Sequence, residues 1–134
     1  MKAYVASAWG IIALGLVSSV SGAQEARPNP PVLKEISSEF PKADKLEARV
    51  LTATLQPGVT SPWHTHSAPV AVYVMEGTFT LEQDGKPPIS KSAGEALLES
   101  TGVKVRAANH GQTPAKVVIF QLSEPAKPFM DLIK

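Results

Sequence analysis

From Leu46 to Gln56 the chain alternates, with Leu51, Ala53 and Leu55 apolar and Thr52, Thr54 and Gln56 polar. A period of two is what a strand with one buried face requires. Val70–Met75 is β-branched and aromatic, and Glu76-Gly77 turns it into Thr78–Gln83. Shorter runs at Ala96–Leu98, Val103–Asn109 and Ala115–Leu122 predict three more strands, set apart by Gly94-Glu95, Ser100-Thr101-Gly102 and Gly111–Pro114. Val32–Ile36 offers a first short strand, and Ser37–Asp44 a loop around Pro41. Asp84-Gly85 signals a turn, which Lys86-Pro87-Pro88-Ile89 is expected to lengthen beyond a two-residue hairpin. No apolar stripe of helical period is long enough to demand a helix. Short, regularly spaced strands with Gly/Pro turns argue for a single all-β sandwich or barrel without internal repeats. The tail Pro125–Lys134 either packs Phe129 and Leu132 against that barrel or makes one short turn.

The first residues follow a different pattern. Lys2 precedes a run, Val5–Val20, that only Ser7, Gly10, Gly15, Ser18 and Ser19 interrupt, and Ser21-Gly22-Ala23 places small residues before Gln24. This is the pattern of a secretory signal peptide. The run is short for a membrane span of about 20 apolar residues, and no basic flank follows it. The expected organisation is therefore a signal peptide at 1–23, a stiff Pro-rich lead-in at 24–31, a barrel at 32–123 and a tail at 124–134. The expected location is periplasmic or secreted, with no membrane attachment after cleavage.

Cleavage would leave 111 of the 134 residues, enough for one small core. It would also remove Lys2, turning 13 basic against 12 acidic residues into 12 against 12. No basic block remains to suggest a nucleic-acid partner. The absence of cysteine excludes disulfides and thiolate metal sites.

Candidate chemistry centres on His64 and His66. Residues two apart on a strand face the same way, so the two imidazoles can converge on one cation such as Fe, Mn, Cu or Zn. Two histidines alone do not complete a site, because catalytic centres usually have three protein ligands. Glu99 is the best further candidate; Glu76, Glu82 and Gln121 are less certainly close. His110 should face solvent, and Tyr73 should point away from Val70. Trp63 is either a rim that stacks on a ligand or a residue packed on the barrel wall. Asn109 is expected to satisfy turn backbone. In metal-free protein two close imidazoles should resist joint protonation, holding one pKa below about 6.5.

Gly58, His64, His66 and Gly77 have the spacing G-x5-H-x-H-x3-E-x6-G, with Val70 in the glutamate slot. Gly94, Gly102 and Asn109 fit G-x5-P-x-G-x2-H-x3-N, with Ser100 for the proline and Val105 in the histidine slot. Over roughly Val32–Ser123 the chain resembles the small single-domain cupins. The resemblance implies a cupin-type, jelly-roll-like antiparallel β-barrel of two packed sheets, open at one end, with the histidine pair near the mouth. It also implies a homodimer, with Pro30–Ile36 available to cover an edge. Metal in such proteins would be held by His64, His66, a carboxylate at 70 and an imidazole at 105. Valine at both of the last two positions is what an abandoned site would favour, since an unpaired buried charge is expensive.

The preferred expectation is an exported cupin-like domain binding a small molecule in its barrel. Its pocket would be formed by His64, His66, Val70, Val105 and Trp63, with no cofactor assured. The alternative is a metal-dependent cupin enzyme of dioxygenase or isomerase type, with His64, His66 and a non-standard ligand such as Glu99 holding a divalent transition metal. A metal-free enzyme with a histidine acid or base has less support. No serine elbow or cysteine offers a nucleophile.

Overall fold

The alternation along Val70–Glu76 sorts its side chains onto two faces, with Val70, Val72 and Val74 buried and Tyr73 and Met75 exposed. This strand is the third of nine in the computed structural model, which describes residues 27–133. They run β1 Glu47–Leu55, β2 His64–Thr65, β3 Val70–Glu76, β4 Thr78–Gln83 and β5 Lys86–Ser92, followed by β6 Ala96–Glu99, β7 Val105–Ala108, β8 Ala115–Ser123 and β9 Asp131–Leu132. There is no helix among the described residues. The proposed signal peptide lies outside them, as do residues 24–26 of the lead-in and Lys134.

Every pairing is antiparallel. One sheet has the order β1-β8-β3-β6 and the other β5-β4-β7-β2-β9. The core lies between them, where Val70, Val72, Val74, Leu97 and Val117 of the first sheet meet Phe79, Leu81 and Val105 of the second. Burying a side chain of this size contributes about 1.5–3 kcal/mol, and there are no disulfides to share the task. A single residue, Gly77, carries the chain from β3 into β4 at φ +71°, and a Cβ there would run into the Pro114 carbonyl oxygen. Asn109 is fully buried and ties three turns together. Its amide donates to the carbonyls of Leu55 (2.8 Å) and Thr113 (2.9 Å), and its oxygen accepts from the Gly111 N–H (2.9 Å).

Three expectations need correction. Val32–Ile36 forms no strand, and Ile36 stands fully in solvent, because no described strand offers it a partner. Asp84-Gly85 does close a two-residue connection, since Gln83 pairs with Lys86 and the chain continues at once as β5. The two prolines are accommodated because β5 is an edge strand and because Pro87 and Pro88 together face the single residue Glu82, a bulge that needs no N–H from either. The tail does both less and more than expected. Phe129 packs on the core, Leu132 remains 64% exposed, and β9 adds to β2 as a new sheet edge.

Candidate metal centre

His64 occupies β2, between β7 and β9, where it pairs with Val105 on one side and Leu132 on the other. His66 lies just past the end of β2, and the two rings meet edge to face with centroids 4.8 Å apart. Glu99 ends β6 directly opposite Val70 on β3. Cross-strand partners emerge on the same face of a sheet, so Glu99 presents its carboxylate where a carboxylate at position 70 would be. The barrel has the charge one strand over from the slot that lacks it. All three side chains are buried, His64 at 6%, His66 at 3% and Glu99 at 5% exposure. One donor atom from each lies within 4.8 Å of the other two.

Both imidazoles are oriented by main-chain carbonyls. His64 Nδ1 lies 2.8 Å from the Pro62 oxygen, and His66 Nδ1 lies 2.7 Å from the Phe129 oxygen. A carbonyl oxygen only accepts, so each Nδ1 carries the proton and each Nε2 is left to bind. Metal-ligating histidines almost always have such an anchor on the other ring nitrogen. Two imidazole nitrogens and one carboxylate suit a divalent transition metal and leave further coordination positions open. The donor set fits the group.

His66 Nε2 and a Glu99 carboxylate oxygen are 3.1 Å apart. Burial pulls the His66 pKa down. Hydrogen bonds to Glu99 and the Phe129 carbonyl, with the charges of Glu99 and Asp131, more than reverse this, and the net shift is upward. The expectation that one of two close imidazoles is held below about 6.5 does not describe His66, because the carboxylate beside it favours its charged form.

A cavity of about 250 Å³ adjoins the triad. Its polar side chains include His64, His66, Glu99, Thr54, Thr60 and Ser61. Val70, Val72, Phe79, Val117 and Ile119 give it apolar walls, with Phe129 and Met130 arriving from the tail. Two residues expected in the pocket are not part of this lining. Val105 is wholly buried in the core opposite His64. Trp63 adjoins His64 in the chain and is turned to the other face. There its ring lies 5.2 Å from Lys104 Nζ and 4.7 Å from the Arg106 guanidinium. Arg106 bonds Glu82 at 2.6 Å and His110 bonds it at 2.7 Å, holding its carboxyl below the usual range. Those groups belong to the outer surface, as does the Glu76–Lys116 pair.

Gln121 is fully buried on the other side of Val70. Its amide makes long contacts with the carbonyls of Ala68 (3.4 Å) and Phe129 (3.3 Å), and its Oε1 has no partner among the described residues. The anchoring role of the Phe129 carbonyl is what sequence reasoning missed. A backbone oxygen leaves no residue-type signal.

Residues 51–120 match the family model described as the cupin domain. Among curated proteins none matches. In structure the chain is similar to the DMSP lyase DddQ from Ruegeria pomeroyi, with a TM-score of 0.55 and 19% identity over 67% of this chain and 44% of that one. A cupin family protein with a double-stranded β-helix fold from Methanocaldococcus jannaschii gives 0.55 and 18%, over 58% and 72% of the two chains. An oxalate oxidase in complex with the substrate analogue glycolate gives 0.54 and 24%, over 64% and 46%. These likenesses are of fold, and the chain spans less than half the length of the lyase and of the oxidase.

Proposed function

The chain belongs to the cupin family, and from that premise we propose that it is a metal-dependent member whose triad His64, His66 and Glu99 holds a divalent transition metal beside a pocket for a small molecule. One observation carries this reading. Both histidines donate Nδ1–H to carbonyls and turn Nε2 toward a site that a buried carboxylate shares. The motifs alone counted two ligands; the cross-strand placement of Glu99 supplies a third. A bound metal would act as a Lewis acid, polarising an oxygen of the small molecule. The chain's own residues do the rest. Pro62 and Phe129 fix the rings through their carbonyls, Glu99 contributes the negative charge, and the aliphatic walls keep water from the bound molecule.

A second reading has an observation of its own. The 3.1 Å contact between His66 and Glu99 is a complete charge-assisted pair, which would serve a metal-free binder in which this pair supplies the polar contact. Elemental analysis of protein purified without chelators separates the two. The metal reading expects close to one equivalent, lost on His64→Ala, His66→Ala or Glu99→Gln. Protein that arrives without metal and takes up none of the added Fe, Mn, Cu or Zn would leave the binder.

Two further proposals rest on the sequence and the surface. We place the mature protein in the periplasm or medium, beginning at Gln24; intact mass of exported protein would decide, and retention of residues 1–23 would overturn it. We also propose a homodimer. Family membership supports it, together with the outer face of the β1-β8-β3-β6 sheet, where Val50, Phe120 and Tyr73 are exposed. Sedimentation equilibrium giving a single monomer mass at micromolar concentration would sink that idea.

A further inference from the structure

The cavity beside the triad contains charged and apolar side chains in an uneven combination. Its only formal charge among the described lining residues is the Glu99 carboxylate, and no lysine or arginine reaches it. Thr54, Val59, Thr60 and Met130 are exposed and mark the mouth; Val72 and Val117 are fully buried and mark the floor. The volume of about 250 Å³ lies below the roughly 300–1,000 Å³ of pockets that take drug-sized ligands.

Charge then selects the ligand. A divalent cation with one carboxylate and two neutral imidazoles leaves a single positive charge. One anionic oxygen group on the ligand neutralises it. A second anionic group would lie against the aliphatic floor or beside the neutral Thr54, Thr60 and Ser61, in either place without a cationic partner, which is unfavourable. From this we infer that the pocket takes small monoanions with an apolar body, carboxylates in particular, and rejects dicarboxylates and phosphate esters of similar size. The acid group meets the triad end, and the body lies against Val72, Val117 and Ile119. This inference rests on the metal reading proposed above and adds the ligand's charge and shape to it.

The test uses the protein loaded with Co²⁺, whose visible spectrum reports a change in its ligands. Metal stoichiometry is measured first, then benzoate and 3-methylbutanoate are compared with succinate by calorimetry and absorption. The expected result is one equivalent of metal, saturable spectral change with both monocarboxylates, and binding at least about tenfold tighter than for succinate. Ile119→Lys, at a partly buried lining position, should bring a cation into the pocket and reverse that preference while metal content stays at one equivalent. Cobalt that binds while succinate matches or exceeds the monocarboxylates, or while no acid alters the spectrum, overturns the inference and leaves the metal site standing. Failure to take up cobalt removes the metal reading and this inference with it.

Discussion

At the scale of single residues, the two valines in the motif's ligand slots each pair across the ladder with a residue that could ligate. Val70 and Val105 stand where a carboxylate and an imidazole would complete the family's shell, yet Glu99 lies opposite Val70 and His64 opposite Val105. A buried carboxylate is costly to keep unless it is paired, and the partners this one faces are two carbonyl-anchored imidazoles, with His66 3.1 Å away. Glu99→Gln should therefore weaken metal binding by at least about 100-fold, the upper range seen for second-layer groups alone. If the carboxylate has moved one strand over, Val70→Glu combined with Glu99→Val should restore much of that affinity. A double variant that folds but binds no better than Glu99→Gln would refute the transposition. The raised His66 pKa makes a separate prediction for metal-free protein. A folded pKa above the unfolded value of about 6.5 stabilises fully below 6.5, and that contribution is lost as pH rises through the folded value. NMR titration should place His66 above about 6.5 in the metal-free protein and lower in Glu99→Gln. An unchanged titration between the two would separate His66 from Glu99.

At the scale of elements, the strands with strong alternation were legible and the short ones were not. β1, β3, β4, β6, β7 and β8 follow from period-two patterning or β-branched runs. Two-residue β2 and β9 have too few positions to show a period and exist because each borders a neighbour. β5 was hidden by its prolines, which an edge and a bulge make harmless. The tail contributes more than cover. It supplies the Phe129 carbonyl to His66, the Phe129 ring 5.0 Å from that imidazole, and the β9 edge beside His64. A chain ending at Glu124 should keep its far-ultraviolet strand spectrum and lose about 10–100-fold in metal affinity, as removal of an orienting partner does. Unchanged affinity in that truncated protein would mean His66 needs no anchor from the tail.

At the scale of the whole molecule, stability rests on one core between two sheets and on turns tied by groups such as Asn109. A ligand that binds only the folded state adds to this by mass action. Metal at 100 times its Kd stabilises by about 2.7 kcal/mol, which for a domain of this size corresponds to a Tm rise of roughly 10 °C or more. Calorimetry of metal-free protein with and without added metal measures it, and a coincident pair of melts would count against the centre. By itself the sequence determined the all-β architecture, the order of most strands, the histidine pair and the buried Asn109 turn. These depend on alternation, turn residues and spacing along the chain, which are local properties. Only the tertiary structure decided that Glu99 faces the histidines, that Trp63 turns outward and that the tail closes on the pocket. Register between strands distant in sequence fixes the first, and contacts that no local pattern encodes fix the others.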